Sequence, residues 1–208
     1  VIISRLYAIV DAGVLAARKV SLDDFAQELC TAGVRLVQYR NKLGSPQEVL
    51  RAAVVLRTVF AGSGATLILN DRADLAVLAG FDGVHVGQGD LLPEDAHRVV
   101  GMERIVGVST HSAEQVRAAE LSCADYVAIG PAFATGTKAD AEQVVGLDGV
   151  RRARAVTQKP LVAIGGITRE NARDVIDAGA DSIAVISGLF GEGERVEQVA
   201  RDFLELLR

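Results

Sequence analysis

Residues 178–187 read AGADSIAVIS, and the same cadence occurs three more times, as AGVRLVQYR from Ala32, AGFDGVHVG from Ala79 and CADYVAIG from Cys123. Each copy begins with small residues suited to the end of a helix and continues into a short apolar run suited to a strand. Strands that are apolar at nearly every position are buried on both faces, so repeated helix-to-strand units imply a parallel sheet covered by helices. Working outward, the repeats supply VRLVQYR (34–40), GVHVG (83–87), YVAIGP (126–131) and SIAVISG (182–188), and LYAIVD (6–11), TLILND (66–71), IVGVST (105–110) and PLVAIGG (160–166) fall between them. Eight strands favour a closed (β/α)₈ barrel over a doubly wound open sheet, although the chain is shorter than the ~250 residues typical of that fold.

The connecting segments support this. SLDDFAQELCTAG (21–33), SPQEVLRAAVVLRTVF (45–60), SAEQVRAAELSC (112–123) and TRENARDVIDAG (168–179) space their apolar residues as helices do, and each opens on Ser or Thr with an acid or amide three or four residues later. AGSGAT (61–66) reads as a helix-to-strand turn rather than a linker, so residues 1–208 are expected to form one α/β domain. Half of the residues are hydrophobic, only 4% are aromatic and tryptophan is absent, which calls for an aliphatic core.

A formal charge of −5 provides no global basic field for nucleic acid or anionic lipid, so an anionic ligand must be met by a local cluster. Cys30 and Cys123 lack metal-ligand spacing and read as buried thiols at helix ends, in keeping with a reducing compartment. No apolar run reaches the roughly 18 residues of a membrane span, and no signal-peptide pattern opens the chain, so the expected location is cytoplasmic.

In a (β/α)₈ barrel the chemistry sits where strands end and βα loops begin. The second strand ends with Gln38, Arg40 and Lys42, the third with Asn70 and Asp71, the fourth leads to Asp90 and the fifth ends at Ser109. The sixth leads into ATGTK with Thr135, Thr137 and Lys138, the seventh into Gly165-Gly166 and the eighth into Ile186-Ser187. Taken singly, each group also suits an ordinary solvated turn or helix cap. Taken together, three cations and two acids on one rim suit a diphosphate with Mg²⁺, a hard ion that takes one or two carboxylates plus substrate phosphates. The loops after strands seven and eight are where such barrels often bind a second phosphate. Of the histidines, His85 reads as a hydrogen-bonded strand residue rather than a base, His111 is ambiguous and His97 reads as a surface residue.

VQYRNK (37–42), NDR (70–72), GVHVGQGD (83–90), GVSTHS (107–112), DYVAIGPAFATGTK (125–138), AIGGI (163–167) and GADSIAVIS (179–187) together resemble the thiamine-phosphate synthase family, in order and over nearly the whole chain. The resemblance implies a (β/α)₈ transferase that couples 4-amino-2-methyl-5-hydroxymethylpyrimidine diphosphate with a hydroxyethylthiazole phosphate, giving thiamine phosphate and diphosphate. It implies that Gln38, Arg40, Lys42, Asn70, Ser109 and Lys138 contact the pyrimidine diphosphate, with Arg40, Lys42, Ser109 and Lys138 catalytic. Asp71 and Asp90 would hold Mg²⁺, and Thr135, Thr137, Gly166, Ile186 and Ser187 the thiazole phosphate. Ala134 stands where the family often has proline, and Ala132–Ala141 reads as a lid over both substrates. The alternatives are a thiazole tautomerase of the same barrel family, using a histidine such as His111, and a non-catalytic binder of thiamine precursors. The expected partners are small molecules, without nucleic acid or membrane; a homodimer is left open.

Overall fold

Strand side chains alternate between two faces, and here both faces are buried, with different contents. The computed structural model describes residues 3–136 and 143–208. The eight strands are β1 (Leu6–Asp11), β2 (Leu36–Arg40), β3 (Thr66–Asn70), β4 (Gly83–Val86), β5 (Ile105–Thr110), β6 (Tyr126–Ile129), β7 (Leu161–Ile164) and β8 (Ser182–Val185). All pair in parallel in chain order, and β1 pairs with β8 to close the barrel, with Leu6, Tyr7 and Ala8 opposite Ile183, Ala184 and Val185. The expected fold is therefore the observed one.

Leu6, Ala8 and Val10 of β1, Val37 of β2 and Val127 and Ile129 of β6 belong to the large apolar layer between barrel and helices. The alternate positions, Tyr7 and Ile9, Leu36, Ile68, Tyr126 and Ala128, Val162, and Ala184, form a second, smaller cluster inside the barrel. Gly107 shows how tightly that interior is filled, because a Cβ there would lie 2.0 Å from Cζ of Tyr126. Only a residue without a side chain leaves room for the phenol ring.

Among the described residues the outer layer is α1 (Ala12–Arg18), α2 (Leu22–Ala32), α3 (Pro46–Val59), α4 (Ala73–Ala79), α5 (Pro93–Val100), α6 (Ala113–Leu121), α7 (Gly146–Arg154), α8 (Ala172–Asp177) and α9 (Val196–Leu206). The start signals work as local chemistry predicts. Ser45 and Glu48 form a capping box, with Glu48 held below the usual carboxylate range by the Ser45 backbone and then its hydroxyl, and Ser21 and Ser112 cap α2 and α6.

Three expectations need correction. α8 begins later than the 168–179 pattern suggests, because the Asn171 side chain accepts from the Thr168 N–H (2.9 Å) and donates to the Gly166 carbonyl (3.1 Å), tying the preceding residues into a turn. His97 is not a surface residue. Only 4% exposed, it faces inward from α5 with Nε2 at 3.1 Å from the Cys123 carbonyl and 3.4 Å from Asp125. Cys30 and Cys123 are half-buried rather than buried. Among the described residues no helix is long and apolar enough to cross a membrane.

Candidate active site

The alternation that fills the barrel also builds its mouth. Gln38 and Arg40 continue the inward face of β2, Asn70 that of β3, His85 that of β4 and Ser109 that of β5, and together with Tyr7 these line one well at the carboxyl ends of the strands. The well is narrow, with about 30 Å³ open to the centre of a water-sized sphere, and it opens toward the rim.

On that rim, Arg40 is ion-paired with Asp11, the buried last residue of β1, whose other oxygen accepts from the Val14 N–H (2.9 Å) and so caps α1. Sequence reasoning passed over Asp11. Its signal was an acid in the last, buried position of a strand, in register with Arg40 on the neighbouring strand. Lys42 pairs with Asp71, which departs from the simple turn-and-cap alternative. α4 starts at Arg72 without any side-chain cap, and Asp71 instead adopts left-handed backbone geometry (φ 63°), uncommon outside glycine and a mark of functional sites when the surroundings enforce it. Its own N–H donates to the His85 carbonyl (2.7 Å), which helps to enforce it.

Asp71 and Asp90 come together. Burial pushes the Asp71 carboxyl above its usual range, and a hydrogen bond with Asp90 and that residue's charge push it in the same direction against the pull of Lys42. Asp90 also accepts from the Gly87 N–H (2.7 Å), which closes the loop after β4. Two adjacent carboxylates, one of them short of solvent, form an oxygen donor set that suits a hard divalent ion. Among the described residues no cluster of three or more metal-ligating side chains exists, so any such ion would need further oxygens from substrate or water.

Some residues of the second expected anion site lie near one another. Gly166 (φ 63°) lies so close to the β6 loop that a Cβ would stand 2.6 Å from the Ala134 carbonyl, and a Cβ on Gly188 would stand 2.4 Å from the carbonyl of Ile167. The turn after β7 is thus sandwiched between the loop bearing Thr135 and the short 3₁₀ turn Ser187–Leu189 that follows Ile186. Ile186 lines the same well as Gln38 and Arg40, so the two expected sites are contiguous. Ala132 and Phe133 donate to the Ile164 and Gly165 carbonyls (2.8 and 2.9 Å), which ties the stem of the expected 132–141 lid to β7. Thr137 and Lys138 lie outside the described residues. His111 sends Nδ1 to the Gly130 carbonyl (2.7 Å), a positional bond to the strand end beside it.

The family model described as "Thiamine monophosphate synthase" matches residues 6–189, from the first strand through the turn after the last. The chain belongs to the thiamine-phosphate synthase family. A thiamine-phosphate synthase of Koribacter versatilis is 55% identical over 205 residues, covering 98% of this chain and 95% of the relative, and one of Methanoregula boonei is 42% identical over 200 residues, covering 96% and 91%. Among solved structures, thiamine phosphate pyrophosphorylase from Pyrococcus furiosus superposes with a TM-score of 0.86 at 31% identity, covering 98% of this chain and 95% of that one. The chain is accordingly an enzyme of the transferase class, acting on small molecules.

Proposed function

We propose that this synthase joins 4-amino-2-methyl-5-hydroxymethylpyrimidine diphosphate to hydroxyethylthiazole phosphate by a dissociative substitution assisted by Mg²⁺, in the cytoplasm. The observation that carries the reading is the rim itself, with the cations Arg40 and Lys42 interleaved with the adjacent carboxylates Asp71 and Asp90 beside the well. A diphosphate alone would repel the two acids and a divalent cation alone would repel the two bases, whereas their complex answers both.

In this reading Arg40 and Lys42 bind the diphosphate oxygens, and Asp71 and Asp90 hold Mg²⁺, which when bound supplies positive charge to the leaving group. The bond between the pyrimidine methylene carbon and the bridging oxygen breaks with its electron pair going to diphosphate. The thiazole nitrogen then donates its lone pair to that carbon. No side chain needs to become a nucleophile or remove a proton. The chain's contribution is orientation and preorganised charge, a kind of stabilisation worth roughly 3–4 kcal/mol per donor in other enzymes. Thr135, Gly166, Ile186 and Ser187 hold the thiazole phosphate, and Lys138 and Thr137 enter through the sequence and the family resemblance. A tautomerase has no use for the carboxylate pair.

The test is to mix the purified chain with both precursors and Mg²⁺ and to measure thiamine phosphate and diphosphate. Both should appear in equal amounts, and Asp71→Asn or Asp90→Asn should raise the Mg²⁺ midpoint. Turnover of a thiazole phosphate alone would replace the synthase with the tautomerase, and unchanged midpoints would remove the two acids from the metal site.

A further inference from the structure

A hydrogen-bond chain runs through the barrel interior from one wall of the well to the other. Gln38 Nε2 donates to the Tyr7 hydroxyl (2.8 Å), Tyr7 and Tyr126 join hydroxyl to hydroxyl (2.9 Å), Tyr126 reaches His85 Nδ1 (2.8 Å) and His85 Nε2 reaches Ser109 Oγ (2.8 Å). Gln38, Tyr7, Tyr126 and His85 are all buried, and burial pushes both phenols upward in pKa, so each phenol has one proton to donate.

The direction of this chain follows from counting protons. The Tyr7 oxygen accepts from the Gln38 amide, so the Tyr7 proton goes to Tyr126. Tyr126 then has its own proton left for His85 Nδ1, which must be the bare nitrogen of a neutral ring. The ring proton therefore sits on Nε2 and is donated to Ser109. An imidazolium would donate at both nitrogens, leaving two tyrosines with one mutual link and two protons, one of them without an acceptor in that chain. A buried hydroxyl proton left without an acceptor is costly.

Resting on the synthase reading above, we infer that Tyr126 and His85 are positioning residues that fix the polarity of Ser109, forcing its hydroxyl to accept from inside the barrel and to donate outward into the well. A hydroxyl so fixed meets an acceptor, and diphosphate oxygens are acceptors only. With the opposite polarity Ser109 would spend its proton on His85 and present lone pairs to an anion. Gln88 Nε2 holds the Ser109 carbonyl (2.6 Å), so the residue's backbone is held from the rim side as well.

Two measurements test this. In the full chain labelled with ¹⁵N-histidine, a ¹H–¹⁵N correlation spectrum should show His85 neutral with the proton on Nε2, the signal being assigned by its loss in His85→Gln. A proton on Nδ1, or on both nitrogens, would overturn the inference whatever the activity. The second measurement is a double-mutant cycle. Ser109→Ala should lower kcat about 100-fold, as removal of one preorganised donor does elsewhere, and Tyr126→Phe, which keeps the ring, about tenfold. Because both act through the same hydroxyl, the double variant should be no slower than Ser109→Ala. Losses that multiply to about 1,000-fold would mean that Tyr126 acts only through packing, and would reject its positioning role. If the expected tautomer appeared in a chain that made no thiamine phosphate, the synthase reading would fall while the polarity of Ser109 stood.

Discussion

Asp11 ends β1 with two bonds of different kinds, one to the Val14 N–H that caps α1 and one to the Arg40 guanidinium, and the two can be removed separately. Asp11→Asn keeps a cap acceptor of equal quality but sets an uncharged amide against a guanidinium. Breaking a fully buried pair costs about 3–5 kcal/mol. Asp11 is 6% exposed and Arg40 16%, so water reaches the cation in part, and we expect about 2 kcal/mol. Asp11→Ala also loses the cap, for about 1 kcal/mol more. For a chain of this size 1 kcal/mol moves Tm by about 2–4 °C, giving drops of roughly 4–8 °C and 6–12 °C. Urea unfolding followed by circular dichroism gives the free energies directly, and the KM for the pyrimidine diphosphate reports whether Arg40 has lost its orientation. An Asp11→Asn protein as stable as wild type with an unchanged KM would show that Arg40 is held by something else. Equal losses in the two variants would refute the separate contribution of the cap.

Gly107→Ala should destabilise the protein by about 1–3 kcal/mol in the same unfolding assay, since its Cβ would fall 2.0 Å from the buried Tyr126 ring, which must shift to admit it; a neutral effect would show that the ring moves aside freely. Asp71→Asn should change stability with pH in the absence of Mg²⁺. The folded carboxyl, raised by burial and by Asp90, holds its proton to a higher pH than the unfolded one, so the wild type loses stability as pH rises from about 4 through the folded value. The variant lacks that loss, so it should gain on wild type between acid and neutral pH in urea titrations, and a constant difference would contradict the raised carboxyl.

The barrel was legible because its evidence is local and repeated: Ala-Gly and small-residue helix ends followed by apolar strands, a pattern that needs no knowledge of which strands touch. The rim positions were legible for the same reason, each lying at or just beyond the carboxyl end of a strand. What the sequence hid was pairing across long separations. Tyr7 and Tyr126 are 119 residues apart, and nothing local distinguishes two phenols that share a hydrogen bond from two that pack on lipophilic neighbours. Strand parity could have found them, because Tyr7, Gln38, His85, Ser109 and Tyr126 all fall on the inward phase. His97 was misread because one histidine on an amphipathic helix says nothing about its acceptors, the Cys123 carbonyl and Asp125, which come from a different part of the chain.

The seam between β1 and β8 gives the synthase a particular relation to its own synthesis. A nascent chain carries Arg40, Asp71, Asp90 and Ser109 long before residues 182–185 emerge, yet until then β1 and β7 each present an unpaired edge and the wall of the well is incomplete at Ala184 and Ile186. Open parallel edges invite pairing with other chains. The wall of the well is complete only once β8 has paired with β1. A ribosome-bound fragment that stops short of β8 is expected to expose sticky edges and to bind no diphosphate, even with Arg40, Lys42 and both carboxylates already synthesised.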